Sequence, residues 1–267
     1  MAIDSTKLIA DLNDLVDLNR NQVDLGLDNQ QVLNDLLNKK IELQGLMPWS
    51  SNYTFLISLG PPKADDKQLA IYKPCQGERP LWDFPEGTLC QREFAAYLIS
   101  QILGWPRIPP TVLRSDAPHG AGTVQYFIEA DFEAHYFNLR ENEALTEDFR
   151  LIALFDHITN NADRKGGHCL IDNEARIWAI DHGLTFHTDY KLRTVIWEFC
   201  NEKISEPLIA DLTRLQLLLN QAELCHILEQ LISRVEIQAL KDRIEVLLTK
   251  GFLPRLQYGR NVPYPPI

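Results

Sequence analysis

Two acidic turns, which contain Asp163 and Asp181, carry the side chains best suited to catalysis. Each turn borders a short apolar run, and segments 169–172 and 176–180 predict two strands joined by a tight turn. Such a hairpin would hold Asp163 and Asp181 at one end, facing the same cleft. Phosphoryl transfer needs this arrangement, because one carboxylate orients the attacking hydroxyl and the other holds a metal ion on the phosphates.

The first turn also carries a lysine and a histidine at a spacing that suits this chemistry. Asp163, Lys165 and His168 follow the pattern Asp-x-Lys-x-x-His, which matches the Asp-x-Lys-x-x-Asn of kinase catalytic loops. We expect Asp163 to be the catalytic base and Lys165 to neutralise charge on the transferred group. Asp181 would bind the metal ion, with Gly183 allowing the sharp turn that follows. The alternative is that the two aspartates only cap turns.

A lysine and a glutamate in the first half of the chain could complete a nucleotide site. Lys73 lies near the end of a strand predicted over residues 69–74, and Glu93 lies early in a helix predicted over residues 89–103. A kinase needs a strand lysine on the α- and β-phosphates, held by a helix glutamate. We therefore expect the side chains of Lys73 and Glu93 to pair.

The loop between the first two predicted strands, residues 48–52, lies where a kinase covers the phosphates. Ser50, Ser51 and Asn52 could donate hydrogen bonds to phosphate oxygens there. This loop lacks the glycine pattern of a phosphate-binding loop, and a plain Ser/Asn turn is the simpler interpretation.

Histidines near the two turns raise the separate hypothesis of a zinc site. The candidate ligands are His157, His168, His182 and His187. Their spacing matches no standard zinc signature. We expect His157 to pack against or cap the end of a helix, and His182 and His187 to support Asp181 or lie at the surface. Cys169 alternates away from His168 along the strand and is expected in the core.

The composition is that of a globular protein with an acidic balance. The chain has 267 residues, of which 45% are hydrophobic, and a formal net charge of -11. This charge argues against a nucleic acid or an anionic membrane as partner, and no apolar run reaches the roughly 18 residues of a membrane-spanning helix. The five cysteines form no C-x-x-C pair, and the first residues lack the features of a secretory signal. We therefore expect reduced thiols and a cytoplasmic location.

The order of predicted elements gives an α+β architecture. Helical stripes in residues 1–40 precede strands and one helix over residues 41–128. Residues 129–267 are mostly helical, nearly without interruption from Leu192 to a proline-rich tail over residues 262–267. We predict a short N-terminal helical extension, a β-rich N-lobe and a helical C-lobe, with a nucleotide held between the lobes. The extension either packs on the main body, which is the favoured interpretation, or binds a protein partner.

Segments 155–164, 169–171 and 180–186 together resemble the catalytic and metal-binding loops of phosphatidylinositol 3-/4-kinases. The chain as a whole is similar to a bacterial group related to these kinases, within the atypical set that includes HipA-like and Fam20-like kinases. The resemblance implies a two-lobed protein-kinase-like fold, with ATP and either Mg²⁺ or Mn²⁺ as cofactors.

The resemblance also implies roles for individual residues. Asp163 would be the catalytic aspartate and Asp181 the metal aspartate, while Lys73 would contact ATP with Glu93 as its partner. The hinge that meets adenine would consist of Tyr126, Phe127 and Ile128. His168 stands where an amide usually supplies the second metal ligand, and an imidazole suits Mn²⁺ better than Mg²⁺.

These observations predict an ATP-dependent phosphotransferase whose acceptor is a protein hydroxyl or a small molecule. The first alternative is a nucleotide-binding pseudokinase that acts as a regulator, which His168 in the place of the amide would favour. The second is a metal-dependent phosphohydrolase. Its ligands would be Asp163, His168, Asp181 and His182. That enzyme would have no use for Lys73 and Glu93.

Overall fold

The architecture comes from a computed structural model of the chain, which describes residues 3–15, 29–48, 52–60, 68–256 and 259–267. Between Ile41 and Tyr126 the described residues form five strands and one α-helix, and helices dominate the part that follows, so the predicted α+β class with a β-rich N-lobe and a helical C-lobe is confirmed. The predicted boundaries after residues 40 and 128 stay predictions.

The N-lobe is built on a five-stranded antiparallel sheet in the order β1-β2-β3-β5-β4. The strands are β1 (Ile41–Leu46), β2 (Phe55–Leu59), β3 (Gln68–Pro74), β4 (Thr111–Arg114) and β5 (Gly122–Tyr126). In β3, Ala70 and Tyr72 are fully buried beneath the sheet. Since side chains alternate along a strand, Lys73 extends from the opposite face, on the side of the cleft.

Helix α3 (Leu89–Leu103) packs against the sheet, and almost all of its side chains are buried. It has the predicted bounds because Gly104, with a φ of 83°, takes the left-handed conformation that ends a helix at little steric cost. At its start, the Glu78 carboxylate accepts hydrogen bonds from the backbone N–H groups of Leu89 (3.1 Å) and Cys90 (2.9 Å). These bonds satisfy free donors of the first turn and fix the end of α3 that carries Glu93.

The C-lobe combines helices with one short hairpin. Its elements are α4 (Tyr136–Leu139), α5 (Thr146–Thr159), β6 (Cys169–Ile171), β7 (Ile177–Ala179), α6 (Glu206–Leu219), α7 (Ala222–Leu228) and α8 (Arg234–Lys250). The first acidic turn connects α5 to β6, and the second follows β7. No helix among the described residues has the length and apolar character to cross a membrane.

The prediction of nearly uninterrupted helix from Leu192 to the proline-rich tail is wrong in two stretches, residues 192–205 and 251–261. In the first stretch the backbone pairs with the first acidic turn instead, because Arg164 N–H donates to the carbonyl of Arg193 and Val195 N–H donates to that of Arg164. The second stretch begins at Gly251, whose φ of 66° ends α8, and it contains no helix within its described part.

Two helices precede the sheet, α1 (Ser5–Leu15) and α2 (Asn29–Asn38). Leu8, Leu12 and Leu36 on their apolar faces are at most 1% exposed. Helix α1 contacts β4 and α7, and α2 contacts β4 and β5, so this extension packs on both lobes. The part of the first predicted stripe beyond residue 15 lies outside the described residues. A protein partner at these helices stays a proposal.

Candidate active site

Three charged residues meet where the two lobes face each other. The Lys73 ammonium lies 2.8 Å and 3.1 Å from the two carboxylate oxygens of Glu93, and 3.2 Å from Oδ1 of Asp181. Burial alone would lower the pKa of Lys73, but the Asp181 and Glu93 carboxylates raise it well above its ordinary value. Lys73 and His168 in turn hold the pKa of Asp181 far below its usual range, although burial opposes this shift. The ammonium therefore joins the N-lobe sheet, α3 and the second acidic turn as a permanent positive charge.

The first acidic turn presents Asp163 to the same space. Lys165 Nζ lies 3.3 Å from Oδ2 of Asp163, and the Asp163 side chain is 27% exposed. Burial raises the pKa of Asp163 to about 6, and the nearby Asp181 carboxylate adds to this shift while Lys165 opposes it. A carboxylate with such a pKa can accept a proton near neutral pH and release it again.

His168 and Asp181 together offer an imidazole and a carboxylate to a metal ion. His168 Nε2 lies 3.4 Å from Oδ2 of Asp181, and the Lys165 N–H approaches His168 Nδ1 at 3.4 Å. Burial lowers the pKa of His168 to about 4, so its imidazole is neutral at pH 7 and can act as a ligand. One nitrogen and one carboxylate fit Mn²⁺ better than Mg²⁺, which prefers oxygen ligands.

Sequence reasoning missed the buried ion pair that supports both turns. The side chains of Asp156 and Arg164 are fully buried, with Arg164 Nε 3.0 Å from Oδ2 of Asp156. The same guanidinium donates to the carbonyl of Ile180 at 2.7 Å and lies 2.7 Å from His182 Nε2. Arg164 thus ties the residues on either side of Asp181 to the turn that carries Asp163. The available signal was a charged residue within the apolar face of a predicted helix.

Backbone conformation also sets the position of the Asp181 carboxylate. Asp181 has a φ of 59° and Asn160, at the end of α5, a φ of 56°. The left-handed region is rare for residues with a side chain, although asparagine and aspartate adopt it more readily than others. The Asn160 amide donates to the carbonyls of His187 (3.0 Å) and Asp189 (2.7 Å), which holds the end of α5 against the segment after Asp181.

A cavity of about 230 Å³ extends from this charged group along the sheet. Its apolar lining residues include Ile71, Tyr126, Phe127, Ile128, Phe132 and Ile180. Its polar lining residues include Asn52, Lys73, Lys165, His168 and Asp181. The residues predicted to form the hinge and the described residues predicted to contact phosphates and metal thus line the same cavity. Ser50 and Ser51 lie outside the described residues.

A second cavity, of about 280 Å³, adjoins the first at Asn52, Lys73 and Asp181. It contains Asp163 and Glu93 and is bounded by residues of the loop before α3, including Arg79 and Leu81. The two cavities therefore meet at the Lys73–Asp181 contact, with Asp163 on the side of the second one.

The expectation that all cysteines are reduced thiols is wrong for Cys75 and Cys90, which form a disulfide. The end of β3 and the start of α3 bring their Cα atoms to 5.9 Å, a tertiary proximity that cysteine spacing along the chain does not reveal. The other cysteines are free thiols, and burial raises the pKa of the core residue Cys169 to about 12. Since disulfides are most common in oxidising compartments, the cytoplasmic location stays a prediction.

The histidines proposed as zinc ligands do not form a cluster. Among the described residues, only Cys75, Glu78 and Cys90 place three side-chain atoms of the kinds that bind metals within 4.8 Å of one another, and the two sulfur atoms of that group are joined in the disulfide. His182 is fully buried beside Arg164, which excludes the surface position and leaves the supporting one of its two expected positions. His187 packs against the ring of Phe84 at 5.2 Å. His157 packs against the indole of Trp197 at 5.8 Å, as expected of a residue at the end of a helix.

Comparison with known proteins identifies the family of the chain. It is 35% identical over 228 residues to Protein Rv2133c of Mycobacterium tuberculosis (strain ATCC 25618 / H37Rv), covering 73% of this chain and 81% of that protein. The chain belongs to the Rv2133c family. No model of a known protein family matches the sequence of this Rv2133c-family member.

Solved structures show the fold of this Rv2133c-family chain. It is similar to hydra Fam20 with sugar, with a TM-score of 0.52 and 14% identity, over 94% of this chain and 96% of the other. It also matches the Helicobacter pylori proinflammatory kinase CtkA, with a TM-score of 0.47 and 14% identity, over 82% of this chain and 94% of that one. The match to Fam20, with a TM-score of 0.52, shows that the chain shares the overall fold of that protein, which agrees with the fold class expected from the sequence. The narrower likeness to phosphatidylinositol 3-/4-kinases stays a prediction.

Proposed function

We propose that the protein is an ATP-dependent phosphotransferase of the phosphatidylinositol 3-/4-kinase-like atypical class, which transfers a phosphoryl group to an alcohol. The observation that carries this proposal is the contact of Lys73 with both Glu93 and Asp181, next to Asp163. A strand lysine, a helix glutamate and two aspartates in one cleft are the parts that a kinase uses to position nucleotide, metal ion and acceptor.

Each of these residues has a role that follows from its chemistry. Lys73 binds the α- and β-phosphates, and Glu93 keeps its ammonium in place. Asp181 and His168 hold the metal ion, which supplies positive charge against the phosphate oxygens when it is bound. Asp163 orients the acceptor hydroxyl and accepts its proton, while Lys165 offsets the charge that develops on the transferred group.

One observation favours a second candidate, a nucleotide-binding pseudokinase that acts as a regulator. His168 offers a neutral imidazole where kinase loops carry an amide, and a weakened metal site would leave binding intact while slowing transfer. The two candidates differ in turnover rather than in nucleotide binding. A metal-dependent phosphohydrolase has no such support, because it leaves the Lys73–Glu93 pair unexplained.

The proposal is tested by thermal unfolding with ATP and either Mg²⁺ or Mn²⁺. A ligand at about 100 times its Kd adds roughly 2.7 kcal/mol to stability, which raises the melting temperature by several degrees in a chain of this size. We expect this increase for the unaltered protein and its loss in Asp181→Ala. Asp242→Ala, which removes an exposed carboxylate on α8, is the matched control and should keep the increase. The absence of any increase with either metal would contradict the proposal.

A further inference from the structure

The second cavity has the size and enclosure of a site for a small molecule. Its volume of about 280 Å³ is close to the lower limit of roughly 300 Å³ for small-molecule pockets. Asp163 lies in its wall, and Lys73 and Asp181 line both this cavity and the first. A molecule in the second cavity would therefore lie beside the terminal phosphate of a nucleotide bound at Lys73 and Asp181.

The outer wall of this cavity is the loop of residues 78–88, which is fastened to both lobes. On the N-lobe side, the Cys75–Cys90 disulfide joins the chain just before the loop to the start of α3, and Glu78 caps that helix. On the C-lobe side, Asp83 forms a 2.9 Å ion pair with Lys191.

Aromatic contacts reinforce this attachment to the C-lobe. The Lys191 ammonium also lies 5.0 Å from the centre of the Trp82 ring, and Phe84 packs against His187. A loop held in this way encloses the side of the cavity that Glu78, Arg79 and Leu81 line. An enclosed cavity of this volume suits a small acceptor better than a protein one.

The charges that line the cavity indicate what kind of molecule it binds. Glu93 and Asp181 are paired with Lys73, and Asp163 is paired with Lys165. The Glu78 carboxylate accepts hydrogen bonds from two backbone N–H groups at the start of α3. Each of these four carboxylates therefore already has a partner within the chain.

Arg79 is different, because its guanidinium has no hydrogen bond or ion pair with any part of the chain that the structure describes. Its backbone N–H is fixed by the side chain of Asn52 at 3.0 Å, whereas its side chain is exposed at the edge of the cavity. Arginine presents several donors in a geometry that matches carboxylate and phosphate groups.

We propose that the second cavity binds the phosphoryl acceptor, and that this acceptor is a small hydroxyl compound carrying a carboxylate or phosphate group that Arg79 binds. The proposal rests on the phosphotransferase function proposed above. In the reaction, the acceptor hydroxyl oxygen forms a bond to the terminal phosphorus of ATP, and the bond from that phosphorus to the bridging oxygen of ADP breaks. The hydroxyl proton passes to the Asp163 carboxylate and then to water, and ADP leaves.

The test uses ATP labelled in its terminal phosphate, with Mn²⁺ and the full chain. Three fractions of an extract from the organism that encodes the chain serve as acceptors: soluble small molecules, lipids presented as vesicles, and macromolecules. We expect label in the small-molecule fraction or in the lipid fraction, which distinguishes a free anion from a lipid headgroup. Arg79→Gln should raise the half-saturating acceptor concentration by about tenfold or more, the loss expected for a charge-assisted hydrogen bond, without changing the affinity for ATP. Arg234→Gln, on an exposed turn of α8, should behave like the unaltered protein.

The possible results separate this inference from the proposed function. Label in protein, label in no fraction, or labelling of small molecules that is unchanged in Arg79→Gln would overturn the inference while ATP binding remains. If the unaltered protein does not bind ATP with Mn²⁺ at all, the phosphotransferase proposal itself fails.

Discussion

Replacing Asp156 by asparagine should destabilise the protein strongly, although the residue lies outside both cavities. Asp156→Asn keeps the shape of the side chain but leaves the fully buried guanidinium of Arg164 without a counter-charge. Breaking a buried ion pair in this way costs about 3–5 kcal/mol, which is a large part of the roughly 5–15 kcal/mol that keeps a typical domain folded. In a chain of this size about 1 kcal/mol corresponds to about 2–4 °C. The melting temperature should therefore fall by about 6–20 °C.

Calorimetry of the unaltered protein and Asp156→Asn measures this effect directly. Glu229→Gln, which removes the half-buried carboxylate partner of the exposed Arg234, is the matched control and should leave the melting temperature nearly unchanged. Because Arg164 also donates to the carbonyl of Ile180, Asp156→Asn should weaken ATP–Mn²⁺ binding at a temperature where it is still folded. A melting temperature within about 2 °C of the unaltered protein would refute the structural role of this pair.

Three further results are expected. Lys73→Met should raise the Kd for ATP about 10- to 100-fold because charge-assisted hydrogen bonds to phosphate are lost, and titration calorimetry showing unchanged affinity would count against the site. Replacing Cys75 and Cys90 together by serine should lower the free energy of unfolding by about 3 kcal/mol, as expected for a loop with a sequence separation of 15. Urea unfolding measures this change, and equal stability of the two proteins would contradict the prediction. Burial lowers the pKa of His157 to about 4, whereas an unfolded histidine titrates near pH 6.5. The unfolded state then binds more protons between these values, so stability present above about pH 6.5 is lost as the pH falls towards 4. His157→Gln should make this loss of stability smaller. The same dependence of stability on pH in His157→Gln and in the unaltered protein would contradict the prediction.

The fold and the central charges of the site could be predicted because each depends on local patterns. Helix α3 has its predicted bounds because its apolar segment ends at Gly104. Glycine adopts the left-handed backbone conformation that ends a helix at little steric cost. Lys73, Glu93 and Asp181 could be predicted because phosphoryl transfer requires a strand lysine, a helix glutamate and an aspartate in a turn. Each of the three lies at such a position in the sequence.

The features that sequence reasoning missed depend on contacts between distant segments. The Cys75–Cys90 disulfide requires the end of β3 to lie beside the start of α3, and cysteine spacing alone carries no such information. The wall formed by residues 78–88 depends on Asp83 meeting Lys191 from the other lobe. Residues 192–205 have a local pattern typical of a helix, yet backbone groups of Arg193 and Val195 form hydrogen bonds with Arg164 in the first acidic turn.

In the proposed reaction, Asp163 orients the acceptor hydroxyl and accepts its proton, and it does not contribute to the affinity for ATP. The most direct measurement compares ADP release from ATP–Mn²⁺ by the unaltered protein and Asp163→Asn, with the small-molecule fraction as acceptor and the ATP affinity of both proteins determined in parallel. We expect unchanged ATP affinity with turnover reduced about 100- to 10,000-fold, the contribution of a positioned general base. Equal turnover by the two proteins would contradict the account.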